Sequence, residues 1–296
     1  MGIKMRKKIS CHVITYNHVN YISKCIDGIL MQKTNFDFEI IIGDDVSTDG
    51  TREIVKRYAA QYPDLIKLNL RQKRGTGIPG KENFVSTLEM CTGEYISLCD
   101  GDDYWTDPLK LQKQIDFLES NKDYILCFHK VKILMPAGGL IDDFITKIPE
   151  NYELRKTLIE SSNYIHTPSI VFRNISFKEF QSIEFQKSPI GDYFMYLILT
   201  NYGKIGFIDE TMGVYRHGVG VYSSLDKMKM MKADLQLFIN LYSFEKDPES
   251  KKIFYRNILS IMESIQKIND NLAYESKLLT TRRHRFIEKL YRFIRR

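Results

Sequence analysis

Three carboxylates crowd into four positions of EYISLCDGDDYWTDP (Glu94 to Pro108): Asp100, Asp102 and Asp103. They come directly after an apolar, strand-like run, and two aromatics and a proline follow. Like charges this close repel, so an unliganded chain gains little from the arrangement. Hard oxygen ligands of this kind suit Mg²⁺ or Mn²⁺, which keep open positions for substrate phosphates. A divalent ion there would clamp a diphosphate and stabilise its charge as it leaves. The plainer alternative is a surface turn built on Asp-Gly chemistry.

Rival readings of the same residue types fail on spacing. A calcium loop beginning at Asp100 needs Glu at its twelfth position, where the chain has Leu111. Aspartyl-phosphate phosphatases also place a DxD after a strand, but Tyr104 stands where they need Thr or Val. GTGIPGKE (Gly75 to Glu82) matches the first part of a P-loop, and Glu82 then replaces the Ser/Thr that would hold Mg²⁺. A P-loop phosphotransferase using Gly75 to Lys81 is the alternative enzyme class. A non-catalytic binding protein is the alternative outside enzymes.

The first half of the chain alternates strand and helix signals. KISCHVITYN (Lys8 to Asn17) reads as a buried strand. After it, Val19, Ile22, Ile26, Ile29 and Leu30 recur at helical spacing. FEIIIGDD is a second strand, and STDGTREIVKRYAAQYP a second helix with Ser47 or Asp49 as N-cap and Pro63 beyond its end. LIKLNL and EYISLC are further strands around a helix near Glu82 to Cys91. Such alternation implies a mostly parallel sheet with helices on both faces. Ligands of such sheets sit beyond the carboxyl ends of the strands. Thr15-Tyr16-Asn17, Asp44-Asp45 and Asp100 to Trp105 should therefore line one edge. Past Pro136 the pattern gives a loop to Pro149, a strand in YIHTPSIVFRN, a helix led by SPIGDYF, and strands or a hairpin in KIGFIDETMGVYRHG. Beyond Ser224 the chain reads as helical to its end, interrupted at Pro248. The expected division is a catalytic unit over residues 1–224 and a helical extension over 225–296.

HVITYNHVNYISKCIDGIL, EIIIGDDVSTDGT, GEYISLCDGDDYW and IGDYF together resemble the family 2 inverting glycosyltransferases of the GT-A fold, above all bacterial enzymes of surface-polysaccharide synthesis. The likeness covers about Lys8 to Ser224. It implies an α/β, Rossmann-like sheet and transfer of a sugar from a nucleotide-sugar, a UDP-sugar favoured, to a saccharide acceptor, expected to be lipid-linked. Mn²⁺ or Mg²⁺ is the implied cofactor. By this resemblance Thr15, Tyr16 and Asn17 form the nucleotide loop, with Tyr16 near the base. Asp45 accepts a hydrogen bond from the base. Asp100 touches ribose or sugar hydroxyls, Asp102 and Asp103 are the candidates for the metal, and His217 approaches the metal from a C-terminal loop. Lys73 and Arg74 lie near the diphosphate, and Asn83 at the start of the following helix is a further donor-binding residue. Asp192 matches the catalytic base, and its plainer role is to cap the helix after it. Arg216 is an alternative phosphate contact. Trp105 is either a wall for a sugar face or core, and His166 an acceptor-side or structural residue.

The remaining features bound the setting. Of 296 residues 43% are hydrophobic and 27% charged, enough to bury a sizeable core. The cysteines Cys11, Cys25, Cys91, Cys99 and Cys127 are odd in number and form no CxxC pair, which suits buried thiols in a reducing cytoplasm. No apolar run reaches the ~20 residues of a membrane span. The net charge is +6, yet Lys277 to Arg296 alone holds eight Lys/Arg and one Glu. The body is thus slightly acidic, which argues against nucleic acid as a partner. In RRHRFIEKLYRFIRR an apolar face (Phe286, Ile287, Leu290, Tyr291, Ile294) opposes a basic one, the pattern of a helix lying on an anionic bilayer at the cytoplasmic face. Packing within a homo-oligomer is the alternative use of that helix.

Overall fold

A computed structural model describes the backbone of residues 7–294 and the side-chain environments of residues 7–272. In chain order the elements are β1 (Ile9–Thr15), α1 (Ile22–Leu30), β2 (Phe38–Asp44), α2 (Thr51–Gln61), β3 (Ile66–Leu70), α3 (Lys81–Leu88), β4 (Tyr95–Asp100), β5 (Tyr104–Trp105) and α4 (Lys110–Ser120). Then come β6 (Tyr124–Leu134), β7 (Leu140–Asp142), α5 (Arg155–Ser161), β8 (Val171–Arg173), α6 (Ile183–Gln186), α7 (Gly191–Leu199), β9 (Lys204–Arg216), α8 (Lys227–Phe244) and α9 (Pro248–Ile294).

The sheet runs β3-β2-β1-β4-β8-β6-β9-β5, with β7 paired to β6. β3, β2, β1 and β4 are parallel neighbours, β8 is antiparallel to β4 and β6, and β6 and β9 are again parallel. The register aligns Thr15 with Asp44 and Ile14 with Asp100, so the ends of β1, β2 and β4 share one edge, as the alternation implies. Period-two burial divides the core. Ile9, Cys11, Val13, Ile40 and Ile42 pack on one face with Ile22, Ile26 and Ile29 of α1 and Leu111, Ile115 and Leu118 of α4. Ile41, Ile96 and Leu98 face the other side, against the aromatic α7. Leu237, Phe238 and Leu241 of α8 and Phe254 of α9 join that same cluster. The five cysteines are buried and free.

The structure departs from the sequence reading in several elements. α2 is capped by Gly50 at φ 103°, not by Ser47 or Asp49. Asp49 instead accepts from the Thr51 N–H (3.0 Å) and hydroxyl (2.6 Å), and from the Val19 N–H (3.0 Å). KIGFIDETMGVYR is one long strand rather than a hairpin, and the shifts of register near His129 and Lys130 of β6 take up the irregularity opposite Ile208 to Thr211. Within YIHTPSIVFRN only Val171–Arg173 is strand, because Pro168 sets a short 3₁₀ turn before it. The sequence reading named neither α4 nor β6. The basic face of the tail lies outside the residues whose side chains are described.

Candidate active site

The site grows from the strand-end loops. After β1 and β2 the chain crosses itself in a clasp: the Asp45 N–H donates to the Thr15 carbonyl (3.0 Å), the Asn17 N–H to the Ser47 hydroxyl (2.9 Å), and the Thr48 N–H to the Asn17 amide oxygen (2.9 Å). Asn17 and Val46 both sit in the left-handed region, at φ 55° and 65°. Asn tolerates that conformation, whereas a β-branched valine is strained there, a feature that concentrates at functional sites. The clasp presents Tyr16, half-buried, beside the buried Asp45.

Arginines from the β3–α3 loop close on this pair. Arg74 lies 3.7 Å from the centre of the Tyr16 ring, and its Nε is 3.3 Å from Asp45. Arg71 reaches the other Asp45 oxygen at 3.3 Å and also pairs with Glu82. The basic side chains paired with Asp45 are Arg71 and Arg74, whereas Lys73 is exposed and the donor-binding role expected of it has no support in this pairing. Asp44 is fully buried and bonded to Arg52 at 2.6 Å, which makes it a brace. Asn83 donates to the Gly43 carbonyl (2.9 Å) and is 2% exposed, so its amide holds α3 on β2.

At the end of β4 the three carboxylates form a cluster. The Gly101 N–H donates to the Ile14 carbonyl (2.8 Å), and a Cβ at Gly101 would lie 2.8 Å from the Thr15 hydroxyl and 2.9 Å from His18 Nδ1. Only glycine lets the DGDD turn approach the first loop so closely. Asp102 and Asp103 are buried, and Asp100 is half-buried. Burial first, then the charges of Asp102 and Asp192, push Asp100 well above the usual carboxylate range. Burial and the neighbouring Asp102 and Asp100 push Asp103 up likewise, although its Oδ1 accepts from the Arg216 N–H at 2.7 Å. Burial raises Asp102, opposed by His18 and Arg216. Arg216 Nε is spent on the Asp102 carbonyl (2.9 Å), and its guanidinium lies over Tyr21.

The loop after β9 covers this cluster through Gly220, where a Cβ would stand 3.5 Å from Asp102 Oδ2. His217 hangs its N–H on the Leu134 carbonyl (3.0 Å) and turns its ring edge to Phe144. His217 Nδ1 and His18 Nδ1 are both buried without a hydrogen-bond partner. Among the described residues no three His, Cys, Asp or Glu side chains gather tightly enough to hold a metal ion by themselves. The donor set still fits a hard cation that takes the rest of its ligands from substrate oxygens, because the carboxylates repel one another and His18 Nδ1 near them has no hydrogen-bond partner.

Asp192 is the second residue of α7, whose N-cap is Ile190, so it is not the helix cap the sequence offers as its plainer role. Its Oδ1 accepts the Tyr193 N–H (2.7 Å) and its Oδ2 faces the Asn163 amide (3.3 Å). Its charge helps to push Asp100 up, so the start of α7 lies within electrostatic reach of the end of β4. Burial raises its proton affinity, opposed by the Tyr193 N–H and by Lys81. Trp105 is core: it is 2% exposed and its indole N–H donates to the Pro168 carbonyl at 2.8 Å. His166 pairs with Asp143 at 2.9 Å against Tyr215. The P-loop alternative fails, because the Lys81 ammonium is sealed inside the protein and Glu82 is paired to Arg71.

The family model described as "Glycosyl transferase family 2" matches residues 10–179, from β1 through the DGDD turn and β8. The chain is a family 2 glycosyltransferase. An uncharacterised protein of Mycobacterium tuberculosis is 35% identical over 247 residues, spanning 80% of this glycosyltransferase and 69% of the relative. The putative glycosyltransferase EpsE of Bacillus subtilis is 39% identical over 117 residues, 40% of each chain. Among solved structures, residues 1–349 of Staphylococcus aureus TarS share the fold at TM-score 0.60 and 18% identity, over 88% of this chain and 73% of that one. The mannosyltransferase PcManGT of Pyrobaculum calidifontis, solved with GDP-Man and Mn²⁺, does so at TM-score 0.61 and 16% identity, over 93% and 76%. The glycosyltransferase thus has the GT-A architecture. Arg71, His18 and the nearness of Lys81 to Asp192 are not expected from the sequence. Arg71 directly follows LIKLNL, a strand-end position that points to it; the partners of the other two are far away in sequence.

Proposed function

We propose that the chain transfers a sugar, with inversion, from a nucleotide-sugar to a saccharide acceptor in the assembly of a surface polysaccharide. The observation that carries this reading is that Asp192 lies within electrostatic reach of Asp100 in the DGDD turn, an acid suited to activating an acceptor near acids suited to holding a donor. Asp45 accepts the imide N–H of a uracil once Arg71 and Arg74 shift from it, and Tyr16 stacks on the ring. Asp100 binds a ribose or sugar hydroxyl. In this reading Asp102, with the Asp103 carboxylate bonded to the Arg216 N–H, would hold Mn²⁺ or Mg²⁺, with His18, whose charge acts on Asp102, or His217 as an imidazole ligand. A cation bound there would neutralise the diphosphate as it departs. Asp192 takes the proton from the acceptor hydroxyl as that oxygen attacks the sugar from the face opposite the diphosphate.

TarS has been solved with UDP and with UDP-GlcNAc, and PcManGT with GDP-Man. TuaG of Bacillus subtilis, 30% identical over 131 residues, is named as a putative teichuronic acid biosynthesis glycosyltransferase. These names support a nucleotide-sugar donor and a polymer-building role. We further place the protein at the cytoplasmic face of the membrane with a lipid-linked acceptor, on the strength of the basic tail. No helix among the described residues is long and apolar enough to cross a bilayer.

The test is a thermal-shift panel of UDP-, GDP-, dTDP- and CMP-sugars with and without Mn²⁺, since a ligand that binds only the folded state raises Tm. A metal-dependent rise with a UDP-sugar is expected. A rise with a GDP-sugar alone would overturn the choice of uridine, and no rise with any sugar nucleotide would overturn the reading.

A further inference from the structure

Lys81 lies in the glycine-rich loop that imitates a P-loop, and the proposed chemistry leaves it without a task. It opens α3, is 6% exposed, and its Nζ is sealed from solvent with no hydrogen-bond partner. Burying an ammonium in this way is costly unless something nearby offsets it. The Nζ lies 4.1 Å from the centre of the Phe185 ring, which offers it a π face. On the other side stands the start of α7. A Cβ on Gly191 would come within 2.8 Å of the Nζ, so a glycine immediately before Asp192 is what admits the ammonium. Because the Nζ is shut off from the cleft, it can touch neither a donor phosphate nor an acceptor. Its influence reaches the site only through the side chain beside it.

We propose that Lys81 is a positioning residue for Asp192, supplying from behind the counter-charge that keeps this carboxylate able to accept a proton at neutral pH. This inference rests on the assignment of Asp192 as the base. The other groups facing Asp192 do not supply that charge. Asp100 at the end of β4 is itself an acid, and Tyr196 on α7, Tyr215 on β9 and Tyr222 in the loop beyond are phenols whose proton affinity Asp192 raises further. Asn163 offers only an amide at 3.3 Å. Among the described residues Asp192 is in turn the one acid acting on Lys81, whose ammonium is lowered to about 8 by burial. The lysine is therefore still mainly charged at neutral pH.

The test is the pH profile of kcat/KM in Lys81→Met and Lys81→Gln, with Asp192→Asn alongside and donor binding measured for each. Removing the charge raises the proton affinity of Asp192, so the acid limb should move up by about 1–2 pH units. The loss should be about 10–100-fold below both limbs and should shrink toward wild type at high pH. A loss by the same factor at every pH, an unmoved limb, or failure of both Lys81 variants to fold would overturn the proposal and leave Lys81 structural. If Asp192→Asn abolishes turnover while the limb stays put, only this inference falls. If Asp192→Asn retains turnover, the base assignment falls with it.

Discussion

Asp100, Asp102 and Asp103 hold charge where a folded chain without a ligand gains nothing from it. A carboxylate whose folded-state proton affinity is raised works against folding once the pH exceeds its unfolded value, and does so more as the pH approaches the folded one. Asp100→Asn should therefore raise the Tm of the ligand-free protein at pH 7–8, an effect that fades toward pH 4, while turnover falls. Scanning calorimetry at both pH values beside an activity assay reads this directly. A Tm that drops at pH 7–8 would mean that the carboxylate is structural. The DGDD cluster was legible in sequence because its members are neighbours. His18 and Lys81 were not, since a lone histidine and a lysine in a failed P-loop acquire meaning only from Asp102 and Asp192, which lie far along the chain.

At the scale of elements, the β–α alternation from Lys8 to Cys99 could be read because each strand is an apolar run bounded by a turn and each helix keeps its own period. β6 was harder. Its half-buried end alternates Lys130 and Lys132 with Val131 and Ile133, and its partners β8 and β9 lie dozens of residues later. β9 resembled a hairpin because Asp209 and Glu210 interrupt its apolar run, and the structure absorbs them in a bulge against β6. The parallel strands are also tied together by a buried acid, Glu39 of β2. It accepts from Ser10 of β1 (2.7 Å), from the Thr92 N–H (2.9 Å) and hydroxyl (2.7 Å) ahead of β4, and from Lys67 of β3 (2.6 Å). Burial pushes its proton affinity up, but these bonds outweigh burial and bring it down to about 2. A depressed carboxylate stabilises the fold above its unfolded value and loses that contribution as pH falls through the folded one. Stability should thus decline between about pH 4.5 and pH 2, and Glu39→Gln should flatten that part of the curve and cost about 2–3 kcal/mol at pH 7. Urea unfolding as a function of pH measures both effects, and an unchanged slope would show that Glu39 is not the group titrating.

At the scale of the molecule, α8 and the start of α9 are bound into the core that supports α7, so the helical extension helps to seat Asp192. The basic end of the chain is a separate matter. Deleting Lys277 to Arg296 should abolish sedimentation with anionic liposomes while donor binding persists. Undiminished liposome binding would refute the membrane role. Dissociation of an oligomer on truncation would instead favour packing between copies. The charge bias of this segment was plain in sequence because it needs no tertiary partner to be seen.

In the proposed reaction Asp192 activates the acceptor opposite a donor held by the DGDD turn. Asp192→Asn preserves the shape of the side chain and its place at the start of α7 but cannot accept a proton at neutral pH. The measurement is kcat for this variant, with donor affinity determined on the same protein by calorimetry. The expected result is a fall in kcat of about 10²–10⁴ with donor affinity nearly unchanged. Wild-type turnover accompanied only by a lower Tm would contradict this, reducing Asp192 to a structural acid in the first turn of α7 and moving the search for the base to the His166–Asp143 pair.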